Sequence, residues 1–176
     1  SKSSSSSSTA LEAKSFPKYV KEFDVTSSDD KVSVYIIAEA FCPNCKEHSY
    51  LFDTLIMNQG DDMREILDIK LDMLVLEGWW ETGDEGICEK GAYDCMAAQY
   101  HLAAQKVFED SNLNEWWDFS RCMYKDQPAL IAYYTEEGHK DTAKLDEFVE
   151  CCATETGLDY PVIREEHASP GHRRLK

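Results

Sequence analysis

Apolar residues first form a regular pattern after Lys31, where the run KVSVYIIAEAF is β-branched, aromatic and almost continuously apolar. A run of this kind is typical of a buried central strand. Apolar residues then recur at helical spacing, and Pro43 lies where the first turn of a helix tolerates a missing N–H group. The pattern therefore predicts a strand that leads directly into an amphipathic helix. The apolar residues of this helix are Leu51, Phe52, Leu55 and Ile56.

The next segment, ILDIKLDMLVL, alternates apolar residues with Asp68, Lys70 and Asp72, which is the period of a half-buried strand. Strand, helix and strand in this order predict a parallel βαβ unit over residues 31–77. In such a unit the crossover is right-handed, and the first turn of the helix lies at the carboxyl edge of the sheet, where active sites gather.

From residue 78 the pattern changes to a Gly-rich acidic loop, GWWETGDEGICEKG, followed by apolar stripes at helical spacing. These stripes predict a large, mostly helical insertion over residues 78–165, with Trp116 and Trp117 on a buried helix face. A short helix is expected to begin near Asp159, and residues 166–176 form a basic tail. The stripes consist of Met96, Tyr100, Ala103 and Val107, then Trp116, Phe119 and Met123, then Leu145, Phe148, Val149 and Cys152.

One domain is expected, because 176 residues of which 43% are hydrophobic suffice for one compact core of ordinary size. Residues 1–16 are Ser-rich and are predicted to be a disordered tail, so the domain covers residues 17–176. The chain carries 18 Lys and Arg against 34 Asp and Glu, a net charge of -16, which opposes binding to nucleic acid or to an anionic membrane surface. No apolar run is long enough to span a bilayer, so neither nucleic acid nor membrane is an expected partner.

Seven cysteines are many for a reducing cytosol and ordinary for the secretory pathway. We therefore expect an oxidising compartment, which is either endolysosomal or extracellular. Cys88 with Cys95, and Cys122 with either Cys151 or Cys152, are candidate structural disulfides, and these pairings leave one thiol over. The spacing alone does not decide between the two partners of Cys122.

Cys42 and Cys45 form a CxxC pair between the predicted strand and helix, a placement typical of the thioredoxin-like class. The positive end of the helix dipole and unpaired backbone N–H groups stabilise a thiolate at a helix N-terminus. Cys42 is therefore the predicted nucleophile, and Cys45, about one turn further on, is the predicted resolving thiol. Two other interpretations are a stable short-range disulfide and a zinc site completed by Cys88 and Cys95. We favour the redox pair and expect no metal and no cofactor; His48, on the same helix face, is given no role.

Two cysteine motifs carry a resemblance to a known family. The motif CPNC follows the first predicted strand, and the motif CEKGAYDC follows the second. In the second motif, two residues separate the first Cys from a Gly, and three residues separate that Gly from the second Cys. In this order they resemble the gamma-interferon-inducible lysosomal thiol reductases, and the segments DFSRCMYK, CCATETGLDYPVI and SPG are similar to later parts of that family. The predicted fold is therefore α/β, a thioredoxin-like βαβ unit with a large, mostly helical, disulfide-containing insertion.

The resemblance implies a reductase of protein disulfides that works at acidic pH in endolysosomes or outside the cell. In that function Cys42 attacks the substrate, Cys45 resolves the mixed disulfide, and the partners are disulfide-containing proteins. An alternative function is a secreted binding protein that keeps the scaffold with weak turnover or none. The alternative arises because the sequence stops before the strand-strand-helix half in which the family carries a cis-proline opposite the CxxC pair. The oligomeric state stays open.

The chain departs from the family at several positions. Ala98, Ala103 and Glu166 stand about where the family has an Asn and two cysteines. Pro128, in DQPALIAYY, has two interpretations: it precedes a strand and replaces the missing cis-proline, or it begins a helix. We favour the helix, because only one strand would precede the following helix where the family pattern needs two.

Overall fold

The computed structural model describes residues 31–74, 88, 90–111 and 113–169. The predicted N-terminal tail, most of the acidic loop and the end of the basic tail lie outside these residues. In chain order the elements are β1 (Val32–Ala38), α1 (Pro43–Leu55), α2 (Asp61–Glu65), β2 (Leu67–Met73), α3 (Ala92–Phe108), α4 (Glu115–Lys125), α5 (Gln127–Ile131), α6 (Ala143–Thr156) and α7 (Tyr160–His167). A 3₁₀ turn, Met57–Gln59, precedes α2, and a π-helical turn, Ala132–Glu136, follows α5.

The two strands pair in parallel, from Val32 opposite Leu67 to Ala38 opposite Met73. Helices α1 and α2 lie between them in the chain, so the predicted parallel βαβ unit is confirmed within residues 31–74. The described part of the chain is thus a mixed α/β structure that is mostly helical, with a small two-stranded parallel sheet.

Strand β1 is less buried than its sequence predicts. Val32, Tyr35 and Ile37 are 46%, 71% and 68% exposed, whereas Val34 and Ile36 on the other face pack against the core. Among the described residues β1 pairs only with β2. The expectation of a fully buried central strand is therefore wrong for this part of the chain, because an apolar run does not tell whether a second face finds a partner.

The core lies between the inner face of the sheet and the helices that follow it. Helix α3 packs against β2, where the side chain of Gln105 accepts from the Leu71 N–H at 2.6 Å and donates to the Leu71 carbonyl at 3.1 Å. Trp116 and Trp117 on α4 are each 1% exposed, which confirms the predicted buried helix face. The apolar residues of β2 alternate toward this core, as predicted; they are Leu67, Ile69, Leu71 and Met73.

A disulfide and a capping residue fix the last two helices. Cys122 of α4 is bonded to Cys152 of α6, with the two Cα atoms 5.5 Å apart. The Asp159 side chain accepts a hydrogen bond from the Val162 N–H at the start of α7, so the predicted helix start is confirmed. None of the helices in the described ranges combines the length and the apolar composition that a membrane span needs.

Pro128 lies in the first turn of α5, where its missing N–H group costs no helical hydrogen bond. The residues that follow it continue as α5 and the π-helical turn, and residues 31–74, 88, 90–111 and 113–169 contain no cis peptide bond. The helical interpretation of this segment is therefore confirmed, and the interpretation of Pro128 as a cis-proline before a strand is wrong.

Candidate functional site

Cys42 is the N-cap residue of α1, with extended backbone angles of φ -84 and ψ 118. Pro43 occupies the first helical turn, and the Cys42 carbonyl accepts the helical hydrogen bond from the Lys46 N–H at 3.1 Å. Its thiol is free and partly exposed. The predicted position of the CxxC pair at a helix N-terminus is confirmed, because Cys42 is the residue that precedes the first turn, at the positive end of the helix dipole.

Cys45 lies about one turn inside α1 and is also a free, partly buried thiol. The Glu39 N–H donates to its sulfur at 3.4 Å. Burial raises the pKa of Cys45 to about 11, and hydrogen-bond contact with the Cys42 side chain and the nearby charge of Glu39 act in the same direction. The Glu39 N–H opposes this shift only in part. Cys45 is therefore held as a neutral thiol at ordinary pH.

Residues 39–42, which we call the CxxC turn, join β1 to α1 and are held by buried side chains from α4 and α5. The Gln127 side chain, 1% exposed, donates to the carbonyls of Ala40 at 2.6 Å and Cys42 at 3.0 Å. The Tyr124 hydroxyl donates to the Glu39 carbonyl at 3.3 Å. Three carbonyls of the CxxC turn therefore depend on residues more than 80 positions away in the chain.

The second cysteine motif also lies against the CxxC turn. The Asp94 carboxylate, in the first turn of α3, accepts a hydrogen bond from the Phe41 N–H at 2.9 Å and one from the Lys90 N–H at 3.3 Å. The Lys90 ammonium lies 3.7 Å from the Glu39 carboxylate. The two motifs that carry the family resemblance are thus adjacent in space, although more than 40 residues separate them in the chain.

A cavity of about 230 Å³ lies beside Cys45. Apolar side chains such as Ile36, Phe52 and Trp117 line it, and His48, three residues after Cys45, lines it as well. The cavity gives an apolar group access to the region of the inner thiol.

Structural disulfides account for four of the other five cysteines. Cys88 is bonded to Cys95, and Cys122 to Cys152, which selects one of the two pairings that the sequence left open. Cys151 is a free and exposed thiol. Because the sulfurs of Cys88 and Cys95 are bonded to each other, they do not complete a zinc site with the CxxC pair. No cluster of three His, Cys, Asp or Glu residues that could hold a metal ion occurs in the part of the chain that the structure describes.

Gln127 and Tyr124 are the residues of this site that sequence reasoning missed. Each has a place in a helix that its pattern explains, and neither forms a motif with the CxxC pair. A buried Gln is uncommon, but nothing local to DQPALI reveals that its amide contacts residues 40 and 42.

Comparison of the chain with family models, with curated proteins and with solved structures gave no match.

Proposed function

We propose that this chain is a thiol-disulfide oxidoreductase of the gamma-interferon-inducible lysosomal thiol reductase type, built on a thioredoxin-like fold, and that it reduces disulfides in proteins. The observation that carries the proposal is the unequal placement of two free thiols at the start of α1. Cys42 is the N-cap residue of α1 and is partly exposed, whereas Cys45 is packed further in, where burial raises its pKa to about 11. The first environment suits a nucleophile, and the second suits a thiol that acts only after the first bond has formed.

The proposed reaction is two successive thiol-disulfide exchanges. The Cys42 thiolate attacks a substrate disulfide, forms a mixed disulfide, and releases the first substrate sulfur, which takes a proton from solvent. Cys45 then loses its proton to solvent, and its thiolate attacks the Cys42 sulfur. The bond between Cys42 and the substrate breaks, and the second substrate sulfur leaves and takes a proton from solvent. The substrate gains two electrons, and the CxxC pair becomes a disulfide. An external dithiol returns two electrons to the pair and is itself oxidised.

The family type is supported by the contact between the two cysteine motifs, since Asp94 of the second motif binds the turn that presents the first. The two structural disulfides support an oxidising compartment, and the proposal of an acidic endolysosomal or extracellular location rests on the resemblance. Disulfide-containing proteins are the proposed partners.

Reduction of insulin disulfides at about pH 5, with a small dithiol as electron source, tests this function. Cys42→Ser is expected to lower the rate by at least about 100-fold, because the attacking sulfur is lost. Cys151→Ser is the matched control, since Cys151 is an exposed free thiol on α6, and it is expected to keep the rate within about twofold. Full activity in Cys42→Ser would reject the assignment.

A second function, a secreted binding protein with weak turnover or none, is favoured by the exposed face of β1. Tyr35 and Ile37 are 71% and 68% exposed on the strand that ends at the CxxC turn. Clustered exposed apolar side chains are typical of interaction surfaces. Under this alternative, the purified protein reduces insulin no faster than free dithiol does, and Cys42→Ser leaves that rate unchanged while Cys42 still alkylates in the wild type.

A further inference from the structure

The loop closed by the Cys88–Cys95 disulfide contacts the CxxC turn at two points. The Asp94 carboxylate is 1% exposed and accepts the Phe41 N–H at 2.9 Å, one residue before Cys42. The Lys90 ammonium lies 3.7 Å from the Glu39 carboxylate at the other end of the turn. This hydrogen bond satisfies the backbone N–H next to Cys42 and ties the CxxC turn to the first turn of α3.

The Cys88–Cys95 disulfide holds Asp94 in position for this contact. Cys95 follows Asp94 directly in the first turn of α3, and its bond to Cys88 closes a loop with a sequence separation of only 7 residues. Gly91 turns this loop with φ +93, a conformation that side chains rarely adopt. Both cysteines are buried, at 3% and 7% exposure, so they are shielded from the exchange chemistry open to the CxxC thiols.

We propose that Lys90, Asp94 and the Cys88–Cys95 disulfide form a clasp that holds the CxxC turn in the geometry in which Cys42 reacts. The proposal extends the proposed function and rests on it. Asp94 binds the backbone N–H of Phe41, next to Cys42, so we assign it as a positioning residue that acts through that backbone. The Asp94 side chain accepts the hydrogen bond from the Phe41 N–H, and the Cys88–Cys95 disulfide keeps this side chain in place.

The clasp needs the Asp94 side chain as a hydrogen-bond acceptor and does not need its negative charge, and two substitutions distinguish these roles. Asp94→Ala removes the acceptor of the Phe41 N–H, whereas Asp94→Asn removes the charge and keeps one carbonyl oxygen. Because misplacement of a reacting group by about 1 Å can cost up to about 100-fold in rate, we expect Asp94→Ala to slow the alkylation of Cys42 about tenfold. Asp94→Asn is expected to stay within about threefold of the wild type.

The test measures two properties of the reduced CxxC pair that need no protein substrate. They are the alkylation rate of Cys42 at about pH 7 and the equilibrium constant of the pair with a reference dithiol. We expect about a tenfold change in that constant for Asp94→Ala, equal to about 30 mV. The double variant Cys88→Ser with Cys95→Ser is expected to change both properties as much as Asp94→Ala does. Combining all three substitutions is expected to increase either change by less than about twofold, since both sets of substitutions release the same contact.

Cys122→Ser with Cys152→Ser is the matched control, because it removes the other disulfide, which joins α4 to α6, and is expected to leave both properties within about twofold. Thermal unfolding checks that each variant is folded. If Asp94→Ala does not fold, the double Ser variant of Cys88 and Cys95 alone tests the proposal. Wild-type values in both clasp variants, equal losses in the control, or an Asp94→Asn loss as large as that of Asp94→Ala would each overturn the proposal. A wild-type protein that fails to reduce insulin would refute the function but would leave these two measurements valid.

Discussion

We predict that Cys45 alkylates slowly in the folded protein, because its thiol is held in the neutral form. Burial raises the pKa of Cys45 to about 11, and contact with Cys42 adds to the shift. At about pH 8 a thiol with this pKa is ionised in about one molecule in a thousand, whereas an unperturbed cysteine is ionised in about one in four. The ionised fraction alone slows native Cys45 by about two orders of magnitude relative to the unfolded chain. The greater nucleophilicity of the more basic thiolate offsets about tenfold of this, so we expect native Cys45 to alkylate at least about tenfold more slowly.

Mass spectrometry of the fully reduced CxxC pair after timed reaction with iodoacetamide measures this rate for each cysteine. The exposed thiol of Cys151 serves as an internal reference, and the same protein in denaturant gives the unfolded rate of Cys45. The native rate of Cys45 should rise about tenfold per pH unit up to about pH 11, because only the thiolate reacts. A rate that levels near about pH 8.5 would instead mean that Cys45 reacts through transient opening with an ordinary pKa. Equal native and unfolded rates of Cys45 at about pH 8 would refute this expectation.

Two further predictions concern stability. Replacing Cys122 and Cys152 by Ser opens a loop with a sequence separation of 30 residues, and should lower the free energy of unfolding by about 3–4 kcal/mol, measured by urea denaturation with Cys151→Ser as the control. An unchanged urea midpoint would contradict the role given to this bond. Burial lowers the pKa of His101 to about 3, so the stability that the neutral ring contributes is fully present above about pH 6.5 and is lost as the pH falls toward 3. Between about pH 7 and pH 4.5 the wild type should lose about 2–3 kcal/mol more than His101→Gln does, and parallel stability curves would contradict this expectation.

Local patterns were sufficient to predict the elements around the site. The alternation of ILDIKLDM predicts β2, the apolar spacing after Pro43 predicts α1, and together they place the CxxC pair at a helix start. The choice of Cys152 over Cys151 in the disulfide also follows the helical pattern. Cys152 continues the apolar stripe that includes Leu145 and is fully buried, whereas Cys151 lies about 100° away around the helix and is exposed.

Contacts between distant segments could not be predicted in this way. The exposure of Tyr35 on β1 depends on which elements cover that face, and an apolar strand sequence carries no such information. The hydrogen bonds from Gln127 to the CxxC turn join residues that are 85 and 87 positions apart. They depend on the packing of α5 against α1, which periodicity along one helix does not reveal.

Trapping of the mixed disulfide shows directly whether Cys42 attacks the substrate and Cys45 resolves the bond that forms. In a Cys151→Ser background, Cys45→Ser is mixed with insulin at about pH 5 and separated without reducing agent. We expect a covalent one-to-one adduct through Cys42 that dithiol releases, and no adduct when Cys42 is also replaced by Ser. Absence of the adduct in Cys45→Ser, or its accumulation through Cys45 in a Cys42→Ser variant, would contradict these roles of the two thiols.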